Sequence, residues 1–146
     1  MHKNPELVPV DRLIGEVCHM HHKRARSLLE ELGLYRGQPP LLFALWKKEG
    51  LTHSELAERT RVRPATISKM IQRMEKAGFL QRRADDEDQR VSRVYLTDAG
   101  REIRGRVDTA FEQLQRETLF GFDDDECELL RGFLVRIRDN LVKAKE

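Results

Sequence analysis

Hydrophobic positions return along this chain with a spacing that shifts from helical to strand-like and back, and each shift marks an element. From about Val10 to Leu32, the residues Ile14, Cys18, His21, Ala25, Leu28 and Leu32 recur at helical spacing and make one face. Gly33 is placed to stop that helix. Tyr35 to Pro40 is a turn-like stretch, and Pro39 or Pro40 can open the next helix, whose first turn tolerates a missing N–H. That helix, Leu41 to Lys48, is apolar nearly all round and is expected to be central and buried. Thr52 and Glu55 have the spacing of a reciprocal capping box, opening a short helix that should end near Arg59. The link Thr60-Arg61-Val62 leads to Arg63-Pro64 and a second helix, in which Ile67, Met70, Ile71 and Met74 form one apolar stripe. Gly78 is placed for a left-handed cap.

The period then changes. Phe79 to Arg83 and Arg90 to Leu96 are short β-prone runs separated by a polar stretch, Ala84 to Gln89, which reads as a hairpin with a loop of several residues. Thr97 can cap the following helix, whose stripe is Ala99, Ile103, Val107, Ala110 and Leu114. Asp123 to Glu126 offers a second capping box with an acidic first turn. The last helix is expected to bury Leu130, Leu134, Ile137 and Leu141.

Short helix, tight turn, amphipathic helix and basic hairpin, in that order, describe a winged helix-turn-helix. With its stripe turned to the core, the second helix leaves Thr66, Ser68, Lys69, Gln72, Arg73 and Lys76 outward. That set suits a major groove: Gln72 can bond adenine edges, Arg73 or Lys69 guanine edges, and Thr66 or Ser68 phosphates or bases. Arg63 stands where a Ser, Thr or Asp cap is usual. An arginine caps poorly, at a cost of ~1 kcal/mol, and we read that as stability given up for a phosphate contact.

Charge sharpens this picture. The net charge of +2 over 146 residues conceals segregation. Between Arg59 and Arg83 there are eight basic residues and a single acid, Glu75, so the segment carries +7 and the remainder −5. A basic block in a near-neutral protein is what a phosphate-facing surface looks like. The composition, 39% hydrophobic and 36% charged, is that of a globular chain with long solvated helices. No apolar run approaches the ~20 residues of a membrane span. Met1 to Val10 lacks a signal-peptide pattern, so the cytoplasm is the default compartment. The two cysteines, Cys18 and Cys127, are far apart, and no disulfide is expected in a reducing compartment.

At the hairpin the chain resembles the MarR family of multiple-antibiotic-resistance-type regulators. The match lies in Gly78-Phe79-Leu80-Gln81-Arg82-Arg83-Ala84-Asp85-Asp86-Glu87-Asp88-Gln89-Arg90, followed by Val94-Tyr95-Leu96-Thr97-Asp98-Ala99-Gly100. Upstream, Ser54-Glu55-Leu56-Ala57 and Pro64-Ala65-Thr66-Ile67-Ser68 look like the family's first and recognition helices. The chain departs from the pattern at Ala84 and Asp86, where the family often has a proline. The resemblance implies that Arg90 sits at the wing tip and enters a minor groove, with Asp88 orienting it; a narrow groove concentrates negative potential and attracts arginine. Holding an arginine would also account for Asp85, whereas Asp86 and Glu87 have no role beyond solvent exposure. The candidate DNA-binding set is therefore Ser54, Arg63, Pro64, Thr66, Ser68, Lys69, Gln72, Arg73, Arg82, Arg83, Asp88, Arg90 and Arg93.

The stripes of the first and last two helices are too long for one small reading head to cover. The resemblance implies that terminal helices of two chains interlock as a dimer, with Leu7, Val10, Leu13, Leu134, Ile137 and Leu141 as interface candidates. Residues 1–36 and 98–146 are then dimerisation helices, and 37–97 the DNA-binding region. Two recognition helices would meet successive major grooves ~34 Å apart on a near-palindromic site. The resemblance also implies response to a small-molecule effector, and Met20, Tyr35, Phe43 and Trp46 could line its pocket, although each also reads as plain core.

Cys18, His21 and His22 lie at i, i+3 and i+4, a spacing that zinc or copper accepts if a carboxylate or a histidine from elsewhere, His53 for example, completes the set. The plainer reading is Cys18 and His21 buried on the stripe with His19 and His22 in solvent, and no metal. A redox role for Cys18 lacks flanking aromatics. No Gly-rich phosphate loop or nucleophile elbow is present, so no enzyme and no cofactor is expected. A winged helix used only for protein contact is the remaining alternative, and exposed Lys69, Gln72, Arg73 and Arg90 argue against it.

Overall fold

The computed structural model describes residues 8–35 and 38–145. Nine elements follow in order: α1 (Val10–Glu30), α2 (Gln38–Lys47), β1 (Leu51–Thr52), α3 (His53–Thr60), α4 (Pro64–Lys76), β2 (Leu80–Ala84), β3 (Ser92–Leu96), α5 (Asp98–Thr118) and α6 (Asp124–Lys143). The fold is mainly helical with a small antiparallel sheet, the winged-helix arrangement expected above. Two compact units divide at residues 112 and 113, α5 running from the first into the second. No helix among the described residues is long and apolar enough to cross a membrane.

The first unit has its core where α2, α3, α4 and the sheet meet. Leu41, Leu42 and Leu45 of α2, Leu56 of α3, and Ile67, Ile71 and Met74 of α4 are fully or almost fully buried there, with Leu51, Leu80, Val94 and Leu96 from the strands. At about 1.5–3 kcal/mol per buried side chain of this size, these residues set the geometry of everything mounted on them. Thr52 Oγ1 accepts from the Glu55 amide at 3.2 Å and so caps α3 as expected. Glu55 does not complete the box: its carboxylate lies 3.8 Å from Arg93 Nη1. Arg61 closes α3 in the left-handed region, at φ 56°, and makes the tight turn into α4.

The sheet holds a strand that hydrophobic patterning did not predict. β1 pairs with β3 on the side away from β2, through Leu51 opposite Val94 and Thr52 opposite Arg93. Its two residues are too few to show alternation. The hairpin proper runs from Leu80 opposite Leu96 to Ala84 opposite Ser92, each strand starting one or two residues later than predicted.

The join between wing and α5 gives a physical account of the Leu-Thr-x-x-Gly pattern. Thr97 Oγ1 donates to the Gly78 carbonyl at 2.5 Å and accepts from the Gly100 amide at 3.2 Å. The Thr97 amide donates to the Phe79 carbonyl at 3.0 Å. Thr97 therefore caps α5 and ties it to the turn that ends α4, where Gly78 takes φ 88°. At Gly100 a Cβ would collide with the Phe79 carbonyl oxygen and press on Leu96. The carbonyl of Gly100 accepts from Trp46 Nε1 at 2.8 Å.

Two expectations about burial are corrected. Along α1 full burial is reached only at Leu28 and Leu29, so Cys18 and His21 are exposed rather than core. In α6 no residue is buried: Leu130 and Ile137 are half-buried, Leu134 is 55% and Leu141 63% exposed. A helical stripe is covered only where another surface meets it, and among the described residues none of α6 is fully covered. The Asp123–Glu126 capping box is present with both of its bonds, at 2.8 and 3.2 Å.

Gly100→Ala should lower unfolding free energy by about 1–3 kcal/mol, the cost of forcing atoms into a filled site. Gly105→Ala in the same helix meets open space and should raise it by about 0.5–1 kcal/mol. Urea midpoints of the two variants check the pair, and equal shifts would contradict the close approach.

Candidate nucleic-acid interface

Helix α4 divides into two faces. Ile67, Met70, Ile71 and Met74 are buried, while Thr66, Lys69, Gln72, Arg73 and Lys76 are exposed. Arg63 has extended backbone at the cap position and makes no side-chain cap bond, and Pro64 occupies the first turn. Arg63, Pro64 and Ser54 are exposed beside it. The helix thus offers an entry without a side-chain cap, at the positive end of its dipole, and a row of cationic and amide side chains to the same solvent.

The wing loop carries Arg90 just ahead of β3, with the side chain 93% exposed. Asp88 Oδ1 accepts from both the amide and the Nε of Arg90, at 3.1 and 3.2 Å. A carboxylate that grips its neighbour's guanidinium in this way limits where that arginine can point.

Asp85 organises the loop. Its Oδ2 accepts from the amides of Glu87 and Asp88, at 3.3 and 3.1 Å, and its Oδ1 accepts from Arg93 Nε at 2.6 Å. Arg93 Nη1 also donates to the Gly50 carbonyl at 2.8 Å. The Arg93 bond, first among several, holds the Asp85 carboxyl below its usual value. Asp86 and Glu87 are exposed.

Two members of the expected DNA-facing set spend their charge on the protein itself. Arg93 is one, through Asp85 and Gly50. Arg82 is the other: residues two apart on a strand share a face, so Arg82 follows buried Leu80 toward α4. There it donates to both carboxylate oxygens of Glu75, at 2.9 and 3.1 Å. The hydrogen bond to Arg82 lowers the Glu75 carboxyl and raises the guanidinium. So exposed a pair is worth about 0–1 kcal/mol; its effect is to orient. Arg83 faces Arg93 across the hairpin, a like-charge juxtaposition, and stacks instead over Tyr95 at 4.8 Å.

Sequence reasoning offers His53 only as a further metal ligand, not as part of the DNA-facing set. Its Nδ1 lies 3.3 Å from Ser68 Oγ, and Nε2 is buried without a hydrogen-bond partner. Burial pushes the imidazole below its usual value; Arg82 acts in the same direction and Glu75 against it. Ser68 Oγ in turn donates to the Pro64 carbonyl at 3.3 Å, so Ser68 is half-buried rather than free in solvent.

Away from this face, a cavity of about 650 Å³ lies among α1, α2 and Phe111 of α5. Tyr35 and Phe43 line it, as do Cys18, His21 and His22. Of the other expected pocket residues, Met20 is 68% exposed and off the wall, and Trp46 packs edge-on against Phe43. Among the described residues no group of three or more His, Cys, Asp or Glu side chains converges on a metal position. Of the dimer candidates Val10 and Leu13 are exposed, and Leu7 lies outside the described residues.

The MarR family model matches residues 34–92, from just after α1 to the first residue of β3. The uncharacterized HTH-type transcriptional regulator YwoH of Bacillus subtilis is 30% identical over 125 residues, 83% of this chain and 90% of that protein. The chain belongs to the MarR family. Solved structures agree in fold. The transcriptional regulator SlyA aligns over 94% of this chain and 96% of its own, with a TM-score of 0.71 and 26% identity. A mutant of S. aureus MepR, solved bound to an oligodeoxyribonucleotide, aligns over 92% and 99% with a TM-score of 0.70; at 20% identity it speaks to the fold alone.

This MarR-family chain is accordingly a transcriptional regulator with a DNA-binding fold, and not an enzyme. In its reading head one face gathers Arg63, Thr66, Lys69, Gln72 and Arg73, while Ser68, Arg82 and Arg93 are held by the protein.

Because the Asp85 carboxyl is depressed, its bond to Arg93 stabilises the wing above the ordinary value of 3.8 and is lost as pH falls through the lower folded value. In carbon-detected titrations Asp85 should have its midpoint below 3.8, and Arg93→Ala should return it toward that value. A midpoint at 3.8 or above in the intact protein would contradict the loop geometry.

Proposed function

We propose that this chain is a cytoplasmic, homodimeric transcriptional repressor that grips a near-palindromic duplex operator and is released by a small-molecule effector. The observation that carries the reading is the outer face of α4, where Thr66, Lys69, Gln72, Arg73 and Lys76 stand exposed above a buried stripe. Lys69, Gln72 and Arg73 read base edges in the major groove, while Ser54, Arg63 and Thr66, at the positive end of α4, take phosphates. Arg90, steadied by Asp88, enters the adjacent minor groove. Arg82, Arg83 and Arg93 contribute to the positive field of the head while shaping the wing. That a structural neighbour, the MepR mutant, was solved with an oligodeoxyribonucleotide supports DNA as the partner.

Residues 37–97 serve as the reading head and the helices in 1–36 and 98–146 as the dimerising part. Exposed Val10, Leu13, Leu134 and Leu141, with half-buried Ile137, are apolar surface of the kind that a second chain covers. Two heads then reach half-sites one helical turn apart. Repression needs nothing more than occupancy of the operator. The effector takes the cavity between α1 and α2, where aromatic Tyr35 and Phe43 face Cys18, His21 and His22.

Binding to a duplex selected from a random pool should weaken steeply with salt, with a log–log slope of about −0.9 per phosphate contacted. Arg90→Ala should weaken binding about tenfold or more, and Lys69→Ala or Arg73→Ala should relax base preference. Wild-type affinity in the Arg90 variant, measured by fluorescence anisotropy, would remove the wing from the interface. Sedimentation equilibrium should give a two-chain mass that Leu134→Glu with Leu141→Glu shifts toward one chain; an unchanged mass would place the dimer contact elsewhere.

A further inference from the structure

His53 begins α3 and faces three groups on neighbouring elements: Ser68 and Glu75 of α4, and Arg82 of β2. The hydrogen-bond arithmetic around it is restrictive. A serine hydroxyl has one hydrogen, and Ser68 directs it to the Pro64 carbonyl. With that hydrogen on the Pro64 carbonyl, the Ser68 oxygen accepts toward His53 Nδ1, and Nδ1 carries the imidazole hydrogen. The other nitrogen agrees. Nε2 is buried and has no partner, which a lone pair tolerates better than an N–H would. An imidazolium would place a second donor there with nothing to receive it, close to the Arg82 guanidinium.

We propose that His53, as the neutral Nδ1–H tautomer, is a positioning residue of the DNA reader that donates to Ser68 Oγ and pins the first turn of α4 to the start of α3. The proposal rests on the reading of α4 as the recognition helix. Its consequence is that Ser68, outward by helical counting alone, works from inside: both its hydrogen and a lone pair are used by the protein. The chain Pro64 carbonyl, Ser68 hydroxyl, His53 imidazole links the uncapped entry of α4, where Arg63 supplies no cap, to the capped entry of α3. The direction in which Thr66, Lys69 and Gln72 meet a groove is then set in part by a histidine that touches no DNA.

Two measurements on the full chain test this. Long-range nitrogen–proton correlation spectra of the free protein should show His53 as the Nδ1–H tautomer at pH 6.5, the value at which an unperturbed histidine is half charged. An Nε2–H tautomer, or an imidazolium at that pH, overturns the proposal. The second measurement uses a duplex selected from a random pool by the wild-type protein. His53→Phe, which keeps bulk and loses the donor, should weaken binding about fivefold, the scale of one net hydrogen bond. His53→Asn, whose amide can donate from near the Nδ1 position, should restore most of that loss, whereas His53→Gln should not. Ser68→Ala should cost a similar factor and add little when combined with His53→Phe. Full affinity in the His53→Phe protein, or losses that multiply in the double variant, would overturn the pinning role. If the wild-type protein bound no duplex, the DNA reading itself would fall and the proposal with it. The tautomer spectrum, which needs no DNA, tells that failure from an error about His53.

Discussion

The segregation of α4 into a buried and an exposed face is the constraint on which the rest of this molecule depends. Ile67, Met70, Ile71 and Met74 occupy the meeting point of α2, α3 and the sheet. Turning the helix about its axis by one residue, ~100°, would bring Ser68 and Gln72 into the core and turn Ile67, Met70 and Met74 out of it. Several kcal/mol of apolar burial oppose that rotation. The rotation of the reading surface is thus fixed by residues on its opposite side.

Around that helix the polar groups act as ties rather than as sources of stability. Glu75 and Arg82 join α4 to the hairpin, Thr97 joins the turn after α4 to α5, and Arg93 joins the wing loop to the Gly50 carbonyl ahead of β1. Each lies at least partly open to water, where ion pairs and hydrogen bonds contribute little net free energy. They define angles between elements whose association the apolar core has already secured. The basic segment therefore has two kinds of arginine: those turned toward solvent at Arg63 and Arg73, and those turned inward as struts.

Most of this was legible from residue order. The helix spans, the turn at Thr60 to Arg63, the hairpin and the cap at Thr97 each have a local cause, so a local reading finds them. What escaped was decided by contacts distant in sequence. β1 exists only because β3 lies alongside it. The inward turn of Arg82 could have been read from its alternation with Leu80, but counting charge obscured it. Cys18 and His21 sit on a stripe whose period is sound, yet among the described residues α1 is buried only at Leu28 and Leu29, toward its C-terminal end. The pairing of His53 with Ser68 gave no signal, because the two lie fifteen positions apart on different helices. The α6 stripe gives the same lesson in reverse: periodicity tells which residues seek cover, not which molecule provides it.

Trp46 is the chain's single tryptophan. Its indole is anchored to the Gly100 carbonyl on one side and packs against Phe43 on the other, and Phe43 in turn forms part of the cavity wall and contacts Phe111. The protein therefore carries a built-in optical probe one ring removed from that hollow. A guest that displaces Phe43 alters the surroundings of the only indole, so its emission follows occupancy without any attached label.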